Sequence, residues 1–355
     1  MPLTDPTRIL IIKPSSLGDI VHALPVLAAL RGRYPAAHIA WLVGTGFQSL
    51  LAGHPMIDEL IPFDRAHYGK ILRSPRAMID FCRFVAMLRR AHYDLVIDLQ
   101  GLLRSGIITW FSRARVRVGF ADAREGATLF YSQRVAPDAS AIHAVEKNVA
   151  FARAIGLHID APEFPLGITA AERTSATMLL HSAAGRPVEK FVAMLPGARW
   201  ETKTWPAEHF ARVIDGMHAA GSPPIVLLGA PSEKPTADAI RNLTASPVID
   251  LVGKTNLRQL AAMLEMCERV VCLDSGPMHI AAALGKPIVA LFGPTDAART
   301  GPFSPTARVL THEVACRPCL KRVCRFGHQD CLRKLMPETV VAATENAECQ
   351  RTNAE

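Results

Sequence analysis

No apolar run in this chain approaches the ~20 residues that a membrane span needs, although 49% of its 355 residues are apolar. The N-terminus lacks the basic stretch and apolar core of a secretory leader, because RILII (Arg8–Ile12) is too short. A cytoplasmic protein is therefore expected. Aromatic residues are sparse, at 6%, and no nucleic-acid-binding motif is present, so a nucleic-acid partner is not expected. Low-complexity tracts and short repeats are also missing, and the apolar content excludes a disordered chain. What remains is length for about two domains of ordinary size, with enough apolar residues for large cores.

Charge of one sign is concentrated. The formal net charge is +8, and between Arg65 and Arg117 eleven Lys or Arg face three Asp, an excess of the same size. A second run, Arg317 to Lys334, sets six cations against Asp330. Such runs are usually solvated faces, but two in one compact protein point to a polyanionic partner such as phosphorylated sugars or lipid headgroups.

The first half alternates short apolar runs with amphipathic stretches. Strands are predicted at Arg8–Ile12, His38–Val43, Glu59–Pro62, Leu95–Asp98 and Val116–Gly119, and helices at Asp19–Arg31, Arg76–Arg90, Leu102–Phe111 and Ile142–Ile155. After a mixed stretch from Asp160 to Val188, with a candidate helix at Thr169–His181, a second series follows. Its strands are Phe191–Leu195, Ile225–Leu228, Val248–Leu251, Arg269–Leu273 and Ile288–Phe292. Helices Ala207–Ala219, Thr236–Leu243, Leu257–Met266 and Pro277–Leu284 alternate with them. That rhythm predicts an α/β protein of two Rossmann-like domains facing each other across a cleft, residues 1–170 and 171–336, then a C-terminal helix and tail over 337–355.

Three constellations carry chemistry. Lys13-Pro14-Ser15-Ser16-Leu17-Gly18-Asp19 leaves the first strand and enters a helix, which puts Asp19 at the carboxyl edge of a parallel sheet. Asp19 there is either an N-terminal cap or a catalytic acid-base. In the second half, Lys203 precedes Trp205-Pro206 after a strand and is either a phosphate partner or a surface lysine. Glu233, after Gly229-Ala230, is either a ribose ligand or a first-turn acid favoured by the helix dipole. The turn Asp274-Ser275-Gly276-Pro277-Met278-His279 joins a buried strand to an apolar helix. Its amides and the Ser275 hydroxyl form an anion cradle to which His279 could add a donor. No P-loop or GxGxxG fingerprint occurs. Third, Cys316, Cys319, Cys324 and Cys331 fall in a C-x2-C-x4-C-x6-C pattern. They are a structural metal site, disulfides or free thiols.

Taken together, RILIIKPSSLGDIVHALPVLAALR, LPGARWETKTWP and VCLDSGPMHIAAALGKPIVALFGPTD resemble the ADP-heptose:lipopolysaccharide heptosyltransferases of glycosyltransferase family 9. The likeness spans almost the whole chain and implies a GT-B fold with an acceptor-binding first domain and a nucleotide-sugar-binding second domain. It implies an inverting heptose transferase acting from ADP-heptose on the lipopolysaccharide inner core, Kdo-lipid A or heptosyl-Kdo-lipid A, peripheral at the inner face of the inner membrane, with no cofactor required for catalysis. It places the catalytic base on Asp19 and donor contacts on Lys203, Glu233, Asp274, Ser275, Gly276 and His279. Acceptor contacts are assigned to Ser16, Gly18, Arg65, Lys70 and Arg124. Ala198 and Arg199 stand where some first-heptose enzymes carry two hydroxyl residues, with Thr202 and Thr204 as candidate substitutes. Two rival readings share these motifs: the same fold with another nucleotide sugar or a protein acceptor, and a non-catalytic nucleotide-sugar or polyanion-binding protein.

Overall fold

A computed structural model describes residues 5–349. The chain divides into two compact units, Met1–Gly167 and Ile168–Glu355, and each is built on a six-stranded sheet whose neighbours all run parallel.

In the first unit the strands are β1 (Arg8–Ile12), β2 (His38–Gly44), β3 (Glu59–Phe63), β4 (Leu95–Asp98), β5 (Val116–Phe120) and β6 (Gln133–Val135). They lie in the order β3-β2-β1-β4-β5-β6. The longer helices are α1 (Leu17–His22), α2 (Leu24–Arg33), α3 (Pro75–Arg90), α4 (Leu103–Phe111) and α5 (Ala144–Ala154). β1 sits between β2 and β4, with Ile11 level with Trp41 on one side and Ile97 on the other. Ile9 to Ile12 are fully buried, which is why a continuous apolar run, not an alternating one, marks this central strand.

The second unit repeats the plan. Its strands are β7 (Val192–Leu195), β8 (Ile225–Leu227), β9 (Val248–Asp250), β10 (Arg269–Leu273), β11 (Ile288–Phe292) and β12 (Ala307–Thr311). Its longer helices are α6 (Ala170–Ala184), α7 (Ala207–Ala219), α8 (Lys234–Leu243), α9 (Leu257–Met266), α10 (Gly276–Ala283) and α11 (Pro337–Cys349). The order β12-β11-β10-β7-β8-β9 is the same topology as in the first unit. In both, strand order reverses beside the first strand, between β1 and β4 and between β7 and β10. Open parallel sheets bind ligands outside the carboxyl ends of their strands at such a switch point. Every candidate motif lies on one of these two edges.

Three differences from the sequence reading have physical reasons. The predicted helix Asp19–Arg31 is two helices: α1 ends at Ala23, and Pro25 occupies the first turn of α2, where its missing N–H breaks no helical hydrogen bond. Strands β6 and β12 were not expected. Both are edge strands with incomplete burial, so they lack the apolar runs that marked their neighbours. The tail beyond Cys349 lies outside the described residues.

α6 opens with a capping box between Thr169 and Glu172 and closes on Gly185 at φ +65°. Glu172 also receives both arms of the buried Arg258 of α9, at 2.6 and 2.7 Å. Burial pushes the Glu172 carboxyl up, but Arg258 and Thr169 more than offset it and hold it at about 2. A carboxylate depressed in the folded state stabilises above its unfolded value and loses that stability as pH falls through the folded one. The pair should therefore contribute roughly 1–3 kcal/mol above pH ~4.5, lost towards pH ~2, the range allowing for solvent at a partly exposed group. Denaturant midpoints for wild type and Glu172→Gln should converge as pH is lowered across that window. Parallel curves would sink the assignment.

Candidate active site

At the first switch point, β1 ends in Lys13 and the loop Pro14–Ser16 leads into α1. Ser16 is the N-cap, in extended geometry. Its backbone N–H and its hydroxyl both donate to Asp19 Oδ2, at 2.8 and 2.6 Å. The second oxygen, Oδ1, lies 3.9 Å from Lys13 Nζ, and the Asp19 side chain keeps 43% of its surface exposed. Capping and chemistry are thus compatible, because the cap occupies one oxygen and leaves the other facing a cation and solvent. Burial acts to raise the Asp19 carboxyl, but Lys13, the two Ser16 donors and the nearby His22 hold it below its ordinary range. It is ionised at neutral pH. Gly18 lies buried in the second helical position of α1.

Lys13 received no role from the sequence. It is 7% exposed, and besides approaching Asp19 it donates to the carbonyl of Leu99 at 2.8 Å. A buried ammonium needs such partners, and here they tie the β1 loop to the β4 loop across the switch point. Gln100 makes a second tie, its Oε1 accepting from Ser15 N–H at 3.3 Å. The β4 loop is shaped by Asp98, which is fully buried and accepts from Tyr131 Oη (2.7 Å), Gln100 N–H (2.9 Å) and Gly101 N–H (3.1 Å). Burial pushes the Asp98 carboxyl up against these donors. A Cβ on Gly119 would stand 2.3 Å from the Tyr131 ring, so a glycine at that point of β5 is what lets the phenol reach Asp98. This carboxylate is closed off from solvent and organises backbone.

Arg65 begins the single turn Arg65–Tyr68 after β3, Lys70 follows it, and Arg124 lies after β5. All three side chains are exposed and form no ion pair among the described residues. Arg124 N–H donates to Gly101 O at 2.9 Å, so its loop adjoins the β4 loop. The three cations share the carboxyl edge with Asp19 without touching it.

At the second switch point Lys203 and Asp274 meet. Lys203 ends a short turn, Glu201–Lys203, after β7, and Asp274 follows β10. Nζ lies 2.6 Å from Asp274 Oδ2, with the side chains 16% and 7% exposed. Thr295, after β11, donates to the same oxygen at 2.5 Å, and Lys203 also sits 4.6 Å from the Trp200 ring centroid. A lysine held this way is fixed in direction before any ligand arrives. Next to Asp274, Ser275 N-caps α10 in extended geometry, and its buried hydroxyl has no hydrogen-bond partner among the described residues. An orphaned hydroxyl at the start of a helix, beside a lysine, is a place prepared for an anion. Gly276 is the first residue of α10, and His279 is buried one turn on.

Glu233 closes the turn Pro231–Glu233 after β8 and accepts from Ala230 N–H at 2.9 Å. Its carboxylate occupies room that side chains would fill. A Cβ on Gly197 would come within 1.9 Å of it, and one on Gly229 within 2.3 Å. Burial pushes the Glu233 carboxyl up, opposed by the Ala230 N–H.

The cysteine segment supports the Lys203 loop. Thr202 donates its hydroxyl to Lys321 O and Thr204 to Glu201 O, both at 2.6 Å, so each candidate substitute for the hydroxyls missing at Ala198 and Arg199 has its proton engaged by a carbonyl. Trp205 Nε1 donates to Leu332 O at 3.0 Å, and Arg322 lies over the Trp200 ring at 5.5 Å. Cys331 is pushed up by burial and by the neighbouring Cys319, Cys316 and Cys324. All four are free thiols, and among the described residues no three His, Cys, Asp or Glu converge as a metal site. The structural metal suggested by the spacing is therefore not supported. Hydrogen bonds from Thr202 and Trp205 tie this segment to the Lys203 loop.

Comparison with known proteins agrees with this geometry. Residues 81–329 match the family model for glycosyltransferase family 9 (heptosyltransferase). Lipopolysaccharide heptosyltransferase 1 of Pseudomonas aeruginosa is 30% identical over 92% of this chain and 90% of its own length. The enzyme of the same name from Escherichia coli K12 is 28% identical over 92% and 99%. Among solved structures, the family 9 glycosyltransferase of Veillonella parvula superposes with a TM-score of 0.82 at 26% identity, covering 99% of both chains. The E. coli heptosyltransferase WaaC with ADP gives 0.76 at 27%, covering 96% of this chain and 99% of that one. With the expected GT-B architecture and with its motifs on the ligand-binding edges of both sheets, this chain belongs to glycosyltransferase family 9 and is a glycosyltransferase.

Proposed function

We propose that the protein transfers heptose from ADP-heptose to the lipopolysaccharide inner core, onto Kdo-lipid A either bare or already carrying one heptose. The observation that carries the donor assignment is the Lys203–Asp274 pair beside the partnerless Ser275 hydroxyl. A fixed ammonium, an unused hydroxyl and the first amides of α10 suit a diphosphate. Asp274 acts by aiming Lys203, since a carboxylate would repel phosphate directly. Relatives named for heptosyl transfer, and WaaC solved with ADP and with ADP-2-deoxy-2-fluoro heptose, support the same donor.

In the first unit, Asp19 Oδ1 takes the proton of the acceptor hydroxyl as that oxygen bonds to the anomeric carbon. The bond from that carbon to the β-phosphate oxygen breaks on the opposite face, so configuration inverts and ADP leaves. Negative charge gathering on the diphosphate is met by Lys203, Ser275 and the Gly276 amide, with His279 behind them. Ser16 and Gly18 form the loop against which the acceptor lies, while Arg65, Lys70 and Arg124 hold its phosphates and Kdo carboxylates. The lipid acceptor places the enzyme at the inner face of the inner membrane as a peripheral protein. Among the described residues no helix is long and apolar enough to cross a membrane.

The deciding assay incubates full-length protein with ADP-heptose and each inner-core acceptor, following both ADP release and the mass of the product. A panel of other nucleotide sugars is run alongside. Faster transfer from a different nucleotide sugar would overturn the donor assignment. Glu233 is assigned to the ribose, and Gly197→Ala tests it without touching the ligand groups. The added methyl collides with the carboxylate end of a side chain, not with backbone, so the fold should persist while Glu233 is displaced. ADP affinity by calorimetry should fall about tenfold, the scale of a lost charge-assisted hydrogen bond, with an unchanged melting temperature. Undiminished affinity would remove Glu233 from the ribose.

A further inference from the structure

Helices α3 and α4 lie side by side in the first unit, with Phe81 of α3 edge-on to Phe111 of α4 at 6.0 Å. α3 turns Ala77, Phe84, Val85 and Leu88 into the core, and α4 turns in Ile108 and the small residues around it. The outer side of such helices is ordinarily polar. Here it is not. Ile79 is 52% exposed on the outer face of α3, and Trp110 is 52% and Leu103 42% exposed on α4. Leu103 and Trp110 are seven residues apart, two turns on one stripe. Leu72, in the turn before α3, is 90% exposed.

Cations are interleaved with these apolar groups. Arg73, Arg76, Arg104 and Arg113 are exposed and form no ion pair among the described residues. The one carboxylate carried by the two helices, Asp80, is already engaged by His67 and Arg83. A surface that alternates large apolar groups with unpaired guanidinium groups, and has a tryptophan among them, matches the boundary between anionic headgroups and acyl chains. A second copy of the chain fits poorly, because a two-fold contact would set arginines against arginines.

We infer that the outer face of α3 and α4 docks the protein on an anionic phospholipid surface. This rests on the reading that the acceptor is lipid-borne, and it adds where the lipid lies. α4 begins just after Gln100 and Gly101, the loop tied to Ser15 beside Asp19. A bilayer under this face would deliver its anchored sugars to the edge that carries the base.

The test is co-sedimentation of full-length protein with vesicles of phosphatidylethanolamine and phosphatidylglycerol, against phosphatidylcholine alone, at low and high salt. Wild type should partition onto the anionic vesicles and be released by salt. Ile79→Ser with Trp110→Ser should lower that partition about tenfold, and Arg76→Gln with Arg104→Gln should lower it as much at low salt. Circular dichroism melts establish that the variants fold. The Ile79/Trp110 variant should turn over a deacylated, water-soluble acceptor at the wild-type rate, and a vesicle-embedded acceptor more slowly in step with its partition. Wild-type protein left in the supernatant, a variant that partitions like wild type, or loss of a concentration-dependent dimer or of polynucleotide binding in its place would each overturn the docking face. Vesicle binding with no sugar transfer to any acceptor would instead remove the functional reading and leave the docking face standing.

Discussion

Asp19→Asn should lower turnover by about two to four orders of magnitude, the usual contribution of general-base catalysis, while ADP binding measured by calorimetry stays at its wild-type value. Asparagine preserves the shape and can still accept the Ser16 donors, so the cap survives and the loss is confined to proton transfer. Turnover within about threefold of wild type would remove Asp19 as the base. The pH dependence gives an independent reading. A base must be unprotonated, and Lys13 and Ser16 hold the Asp19 carboxyl below its ordinary value of 3.8 against the opposing effect of burial. The acid limb of kcat/KM should therefore lie below that value, and the neutral range should show no inflection from this group. Lys13→Met removes the cation but keeps the length of the side chain. The Asp19 carboxyl should rise, and the acid limb should move to higher pH, while the Asp19→Asn variant loses the limb altogether. A limb that stays put in Lys13→Met would show that the 3.9 Å ion pair has no electrostatic weight in the working enzyme.

How far the site could be read from the chain depended on distance along it. β10 and β11 occur at the residues expected, Arg269–Leu273 and Ile288–Phe292, because a strand buried on both faces leaves an unbroken apolar run. β6, Gln133–Val135, packs on one neighbour only and leaves no such mark. Asp19 was visible from its place between a strand and a helix, but that its capping bonds with Ser16 use one oxygen and leave the other open was not. The partners of Lys13 were invisible, since its hydrogen bond to Leu99 spans 86 positions. Asp98 and Tyr131, 33 apart, were likewise silent, although an acid ending an apolar strand followed by Gln-Gly was a usable signal. At the cysteines the spacing left metal, disulfide and free thiol open, because which thiols converge is set by the folding of the segment, and among the described residues no metal-binding group forms.

Lys203→Met should produce two losses at once, in donor binding and in stability, and separating them is the sharper test of the second unit. Removing an ammonium from the proposed diphosphate site should weaken ADP by roughly ten- to a hundredfold, the equivalent of about 1.5–3 kcal/mol for a hydrogen bond to a charged group. The same change strands Asp274, which is 7% exposed and keeps only the Thr295 hydroxyl on its Oδ2. Stranding one member of a buried pair costs about 3–5 kcal/mol, whereas removing both is far milder. The melting temperature of Lys203→Met should accordingly drop, and adding Asp274→Asn should recover most of it, because a neutral amide tolerates burial where a lone carboxylate does not. ADP affinity should not recover with it, since the amide brings no positive charge. The two readouts must therefore part company in the double variant: stability near wild type, nucleotide binding still weak. If the double variant regains ADP affinity together with stability, Lys203 serves the fold and not the phosphate. If the single variant melts with wild type, the pair at 2.6 Å is not what holds the lysine in place, and Asp274 loses its role in aiming it.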